Sequence, residues 1–507
     1  MYKARLMGLF LFLMSATTFA QQAETPTPQW RPAYHFTPDK YWTNDPNGLI
    51  YLNGKFQLYY QHNPFENKWG HMSWGHAESP DLIHWKHLPV AIPEVVTKDT
   101  TTWIYSGCAV VDKDNTSGFG VNGKPPIVAI FTADQPKQKK ESQFIAYSND
   151  NGMSYHLYDK NPVIDLNMRD FRDPNVFWFE PEKQWIMTVS MVNEHMVRFY
   201  GSKDLKNWTK LSDFGPAGYT KNGWECPSMI PLPVDGNSSN VKYVLFVSCF
   251  GDHGPQMQYF IGDFDGTKFT NLNPADKLLR VDNGDCFYAA IAWRDAPQNK
   301  KILIGWLING KPETYPWKGQ MSIPRDLSLR TTGDGIRLFE TPTSLITSAL
   351  QSFAKGRPLI KKDIRLNGDM LLSGPSRFNK NAYWLQAQLQ VAKTGKTGFY
   401  VAGNKDNSKK IEVGYDADKQ ELYVDCSGTE GGNKDSRNLI QTVPMKAKNG
   451  TIQLNVLMDK SSLEVFGDDG RHVITTMVYP DADATRLSAF SSGNAVIKKM
   501  KLWDMDK

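Results

Sequence analysis

The sequence predicts an all-β protein, a five-bladed β-propeller followed by a C-terminal β-sandwich, and three observations predict it. After the first twenty residues convincing helical periodicity is almost absent. Short runs rich in Val, Ile, Tyr, Phe and Trp, such as Lys55 to Gln61, Pro126 to Thr132 and Val241 to Ser248, are broken instead by Gly, Pro, Asn and Asp. A degenerate turn recurs at intervals of about 50 to 70 residues, the length of one four-stranded blade. Nearer the C-terminus the pattern changes to strict alternation, as in Tyr383 to Val391, which marks half-buried strands of a sandwich.

In chain order, Lys3 and Arg5 precede the apolar run Leu6 to Met14, and small residues lead to Thr18-Phe19-Ala20. This is the pattern of a secretory signal peptide, residues 1–20, with cleavage expected after Ala20. The run is too short to span a bilayer, so no membrane anchor is expected and the protein is secreted or periplasmic. Residues 28–345 form the propeller. Its turn motif reads Ser79-Pro80-Asp81-Leu82-Ile83-His84-Trp85 and is echoed from Ser148 to Tyr155 and from Ser202 to Trp208. A fainter copy runs from Asp263 to Phe269. Each copy is a polar turn carrying Asp, then an aromatic that opens a strand. A region of about 320 residues at that spacing holds about five blades. From 346 to 361 the pattern lapses, which suggests a linker, and 362–507 carries the sandwich strands.

Composition excludes several classes. Without Lys3 and Arg5 the formal charge falls from +5 to +3, so nothing draws the chain to nucleic acid or anionic lipid. Cys108, Cys226, Cys249, Cys286 and Cys426 are scattered and odd in number, neither a disulfide framework nor a zinc pattern. His35, His62, His71, His76, His84 and His87 cluster early, but the surrounding Gly, Trp and Pro form no helix that would align metal ligands. Aromatics are abundant, at 12 % of residues, which fits a β core or a sugar site.

Most acids stand in Lys-rich or Gly-rich turns and read as solvated surface. Three do not. Asp45 lies in Trp42-Thr43-Asn44-Asp45-Pro46-Asn47-Gly48, where Pro46 holds it extended and Asn47-Gly48 turns the chain. Asp173 follows Arg172 in Phe171-Arg172-Asp173-Pro174, and the guanidinium could keep the carboxylate ionised and reach hydroxyl groups. Glu225 stands between Trp224 and Cys226-Pro227, apolar surroundings that suit a general acid but leave it no cation nearby in the sequence. A rigid carboxylate paired with such an acid is what glycosidic cleavage needs.

These motifs resemble those of glycoside hydrolase family 32, the invertases, inulinases and levanases. The likeness begins at Arg31 to Pro38 and runs through the Asp45 segment, Tyr59 to Phe65, Trp74 to Ala77 and Asp81 to Trp85. It resumes at Tyr105-Ser106-Gly107, Phe171 to Val176, Trp224 to Pro227, Phe287 to Ala290, Pro316 to Gln320 and Ile323 to Arg325, and reaches Ser462 to Phe466. It implies a propeller with its site in the central funnel and release of terminal fructose from levan, inulin or sucrose. The reaction would be retaining, through a fructosyl-enzyme intermediate, with no metal or cofactor. Asp45 would be the nucleophile, Glu225 the acid/base and Asp173 the stabiliser of the transition state. Asn44, Gln61, Trp69, Ser106, Arg172 and Trp317 would line the pocket. Endo-acting cleavage, fructosyl transfer and a non-catalytic fructan-binding role are the alternatives. Two departures stand out: Thr43 replaces an apolar residue, and Cys286 stands where relatives often carry Asp, so a polar contact near the pocket is lost or falls to Asp285.

Overall fold

β-Branched and aromatic residues alternating with polar ones form strands, and the strands of this chain assemble into five blades, each built on four antiparallel strands, followed by two six-stranded sheets. The computed structural model describes residues 26–252, 254–308, 314–354, 356–373, 381–429 and 439–506. The expected signal peptide lies outside them. No helix among the described residues is long and apolar enough to cross a membrane.

Blade 1 comprises Tyr41–Leu52, Lys55–Asn63, Ser73–Ser79 and Lys86–Ile92. Blade 2 comprises Thr101–Val111, Ile127–Gln135, Lys140–Ser148 and Ile164–Met168. Blade 3 is Phe171–Phe179, Gln184–Met191, Met196–Ser202 and Thr209–Phe214. Blade 4 is Glu225–Val234, Asn237–Gly251, Gly254–Phe264 and Phe269–Asn271. Blade 5 is Phe287–Ala292, Ile302–Leu307, Arg325–Thr332 and Gly335–Pro342, joined to blade 4 by one parallel pair, Val234 with Leu329. The first strand of each blade packs against the first strands of its two neighbours, and the fifth packs against the first, so these five strands ring a common axis. Trp317–Lys318 pairs in parallel with Tyr41 and Trp42 and closes the ring between blades 5 and 1.

The repeated motif forms the turn between the third and fourth strands of blades 1 to 4. In blade 1 the Ser79 hydroxyl accepts from the Leu82 amide, Asp81 accepts from the amides of Ile83 and His84, and the Trp85 indole donates to the Leu82 carbonyl. Blade 3 repeats this: Asp204 accepts from Lys206 and Asn207, and Trp208 donates to Leu205. Leu82 and Leu205 both have positive φ, 67° and 60°. Carboxylate-capped turns of this kind hold a left-handed residue that the bare backbone would disfavour.

The segment expected as a linker is more ordered than its composition suggests. Ser344–Phe353 is an α-helix capped by Thr343, whose hydroxyl accepts from the Leu345 amide. It buries Ile346, Leu350 and Phe353, which share one face at spacings of four and three. Its apolar stripe is only three residues long, too short to show as helical periodicity. Two six-stranded sheets then stack around a core that includes Leu385, Phe399, Val413, Leu454 and Val465. All five cysteines are buried.

Propeller and sandwich meet through buried charge. The His35 ring bonds Asp459 and Glu464, each at 2.8 Å, and the Arg325 guanidinium reaches Glu464 at 2.6 Å and Asp282 and Glu340 at 3.0 Å each. Burial pulls the His35 ring down, but its bonds to Asp459 and Glu464 outweigh this and lift it from 6.5 to about 9. A folded value above the unfolded one means a contribution that is complete below the unfolded value and lost as pH rises through the folded one. Thermal melts should therefore show a fall in stability between pH of about 6.5 and 9 that His35→Gln lacks. At pH 6 that variant, which removes the imidazolium between two buried carboxylates, should lose about 3–5 kcal/mol.

Candidate active site

The first strand of every blade is too long for its neighbour, by one residue in blades 2 to 5 and by two in blade 1. From Thr43 to Pro46 blade 1 advances three residues while its partner strand moves only from His62 to Tyr60. The same three-against-two step occurs at Ile104 to Gly107, Arg172 to Asn175, Glu225 to Ser228 and Tyr288 to Ile291. A β-bulge of this kind re-aims the side chains around it. Three of the five hold a non-glycine residue at positive φ: Asp173 at 66°, Cys226 at 48° and Ala289 at 53°. Five bulges at one level of the ring make the floor of a pocket of about 340 Å³.

Asp45, Asp173 and Glu225 all line this pocket, with Asn44, Gln61, Trp69, Ser106 and Arg172. The Ser106 hydroxyl donates to Asp45 Oδ2 at 2.5 Å and the Asn44 amide to Oδ1 at 3.1 Å. Asp173, almost fully buried, accepts the Cys226 backbone N–H at 2.9 Å. The Cys226 thiol lies 3.5 Å from Asp45 Oδ2 and 3.6 Å from Asp173 Oδ2, so it spans the two carboxylates. Glu225 is gripped on both oxygens: Arg172 Nε and Nη2 donate to Oε1 at 3.2 and 3.0 Å, and the Tyr288 hydroxyl donates to Oε2 at 2.5 Å. Gln61 anchors its amide on the Ile104 carbonyl at 3.0 Å. Trp69 stands 52 % exposed, edge-on to Trp103 at 5.3 Å between ring centres.

Burial raises Asp45 above its usual 3.8; the Ser106 hydrogen bond opposes this and the Glu225 charge adds to it. Asp173 is pushed further, to about 7, by burial; Arg172 holds it down while Glu225 and Asp45 push it up. The site concentrates five carboxyl groups around two guanidinium groups, Arg169 and Arg172, an arrangement able to bind hydroxyls and move protons.

Arg172 does oppose the rise of Asp173 through its charge, but its hydrogen bonds go elsewhere. The bulge turns Asp173 to the floor, and the guanidinium bridges Glu225 to Glu141 and Asp170 instead, so Glu225 has the cation its sequence neighbours lack. Two expectations are corrected. Trp317 does not line the pocket: it is fully buried in the ring-closing segment, with the Arg31 guanidinium 4.3 Å above its ring. Cys286 does not line the pocket either: it is buried with its thiol 3.4 Å from the Thr475 carbonyl of the sandwich.

Sequence reasoning missed Tyr288, Trp306, Tyr105 and Glu141, which also line the pocket. Tyr288 holds the bulge position in blade 5 that Arg172 and Glu225 hold in blades 3 and 4, a correspondence visible only once the strands are in register. Glu141 follows Lys139 and Lys140 and reads as solvated, yet its side chain is 1 % exposed and holds both the Arg172 guanidinium and the Phe171 amide.

Comparison with known proteins agrees with this architecture. Residues 35–342 match the family model for the Glycosyl hydrolases family 32 N-terminal domain, and 352–504 match that for the Glycosyl hydrolases family 32 C terminal. A levanase from Bacillus subtilis (strain 168) is 38 % identical over 519 residues, covering 99 % of this chain and 75 % of that protein. An extracellular exo-inulinase from Aspergillus awamori is 33 % identical over 526 residues, covering 96 % of each. The crystal structure of exo-inulinase from Aspergillus awamori superimposes with a TM-score of 0.86 at 31 % identity, covering 95 % of this chain and 99 % of that one.

The raised Asp173 carries a testable consequence. Its native carboxyl prefers the proton that the unfolded chain releases near 3.8, so its stabilising share is present at low pH and lost as pH climbs through about 7. Asp173→Asn keeps an acceptor for the Cys226 amide and tolerates positive φ. It should melt with the wild type at pH 4 and be more stable by about 1–3 kcal/mol at pH 8, measured by scanning calorimetry.

Proposed function

The chain belongs to glycoside hydrolase family 32, and from that membership we propose that it removes terminal fructose from β-fructans, levan or inulin, with sucrose as a lesser substrate. It is a glycoside hydrolase of the β-fructofuranosidase type. The observation that carries the reading is the convergence of Asp45, Asp173 and Glu225 on the floor of one pocket, each fixed by donors from other blades. A pocket with a closed floor accepts a chain end, which favours exo action. The levanase and exo-inulinase names of the relatives support fructan as the polymer. The extracellular name of the exo-inulinase relative supports secretion.

In the first step the Asp45 carboxylate attacks the anomeric carbon of the terminal fructosyl unit. The bond to the leaving oxygen breaks, and Glu225 gives that oxygen its proton. In the second step Glu225 takes a proton from water as that water displaces Asp45, which releases fructose and restores both carboxyl groups. Arg172 and Tyr288 keep Glu225 on the leaving-group side through both steps. Asp173, in its Cys226 N–H cradle, takes sugar hydroxyls and faces the positive charge that develops on the ring. Ser106 and Asn44 orient Asp45 and support its charge when it departs. Gln61 and Trp69 complete the walls.

Chromatography of early products from levan, inulin and sucrose should show free fructose alone; a ladder of oligosaccharides would mean endo cleavage. Asp45→Ala should still bind the polymer but lose about four orders of magnitude or more in kcat. Hydrolysis equal to wild type would remove Asp45 from the nucleophile role.

A further inference from the structure

The pocket holding Asp45 is built on the beginnings of the innermost strands. Their far ends enclose a second cavity, of about 620 Å³, walled by Val110 and Val111 of blade 2, Phe177 and Trp178 of blade 3, Ile230 of blade 4 and Trp293 of blade 5. The exposed Lys113 lines it, and so do two half-buried cations, Arg294 and Lys301. Among the described residues neither has a carboxylate within ion-pair distance. Arg294 donates Nη2 to the Asn175 side chain and lies 5.9 Å from the centre of the Phe177 ring, so most of its donors face no protein acceptor. Burial lowers both cations, and the charge of Arg294 lowers Lys301 further.

The acids on the same wall are engaged elsewhere. Asp112 accepts from the amides and hydroxyls of Thr116 and Ser117 at 2.6–3.0 Å, Glu180 pairs with Lys183 and the Trp178 indole, and Asp295 pairs with Lys113 at 2.7 Å. The exposed Asp114 is at the rim. Arg294 and Lys301 are both partly buried beside Trp and Phe rings, and Asp295, whose charge acts on both, is paired with Lys113. A planar guanidinium beside an ammonium is the donor pair that phosphate oxygens take.

We propose that the cavity at this end of the propeller is an anion site, in which Arg294 and Lys301 together bind a phosphoryl group. Its ligand is inorganic phosphate or a phosphorylated sugar, for which the aromatic wall leaves room. The site is separate from the hydrolytic pocket, and its occupancy tightens Arg294, whose partner Asn175 is two residues from Asp173 on one strand.

Calorimetric titration of the whole protein with inorganic phosphate, in sodium chloride of matched ionic strength, tests this. Saturable binding is expected in the wild type, retained by Lys301→Arg and weakened about tenfold or more by Lys301→Gln, with sucrose hydrolysis unchanged. Tighter binding of fructose 6-phosphate than of phosphate would assign the cavity to sugar phosphates and the reverse to the free ion; either upholds the site. Crystals of the wild type soaked in tungstate should give an anomalous peak between Arg294 and Lys301, a readout that does not depend on a variant folding. Binding that follows ionic strength alone, equal affinity in Lys301→Gln, or no peak at that position would overturn the proposal.

Discussion

An extra residue at the same level of each innermost strand is the constraint on which the site depends. A regular strand points successive side chains to opposite faces, so it can offer the axis only every second residue. The shared bulge breaks that alternation at one level of the ring. Asn44 and Asp45 of blade 1 can then both reach the pocket, and so can Tyr105 and Ser106 of blade 2 and Arg172 and Asp173 of blade 3. Five blades with the same defect make a floor dense in polar groups, although each is built from ordinary antiparallel pairs. The prolines that follow, Pro46, Pro174 and Pro227, fit because the ladder is interrupted there, which is where a missing N–H is tolerated.

The density has an electrostatic consequence. Asp45, Asp173, Glu225, Glu141 and Asp170 share the pocket with only Arg169 and Arg172, and the shortage of positive charge, together with burial, lifts Asp45 and Asp173. Arg172 is the hinge of the arrangement. Glu141 and Asp170 hold one nitrogen of its guanidinium, leaving the edge formed by Nε and Nη2 for Glu225. The propeller–sandwich junction solves the same problem differently. Four buried acids, Asp282, Glu340, Asp459 and Glu464, meet Arg325 and His35. Burial lifts Glu340 to about 8, so it is largely protonated at neutral pH, while His35 carries a charge. Three carboxylates against two cations leave that network nearly balanced. The junction is close to neutral and structural; the funnel is strained by charge and chemical.

Much of this was legible in the sequence, for physical reasons that differ by element. The blades could be counted because their Asp-capped turns are local: the partners of Asp81 and Asp204 lie two or three residues away. Asp45, Asp173 and Glu225 could be found because each is fixed by rigid neighbours that are also local. Partnerships across blades were not legible. Arg172 was assigned to the carboxylate next to it, while its bonds run 31 residues back to Glu141 and 53 forward to Glu225. Glu141 looks like surface because lysines precede it, yet its buried side chain pairs with Arg172 from the next blade. The helix from Ser344 was hidden by its length, ten residues with a single apolar stripe.

Trp317 shows how a motif can matter to a site without touching substrate. The segment from Thr314 to Met321 runs between the sandwich and the first strand of blade 1. At one end the Ser461 hydroxyl donates to Gln320 at 2.9 Å. In the middle Trp317 and Lys318 pair with Tyr41 and Trp42, and Trp317 is clamped beneath Arg31. Gly319, with φ of 90°, lies so close to blade 1 that a Cβ there would stand 2.1 Å from the Thr43 carbonyl oxygen, a position only glycine can occupy. Thr43 is two residues before Asp45, and it begins the bulge that aims Asp45 at the pocket. The sandwich therefore bears on the floor through this strap. The second domain thus contacts the segment that packs against the strand holding Asp45, although it lends the pocket no side chain among the described residues.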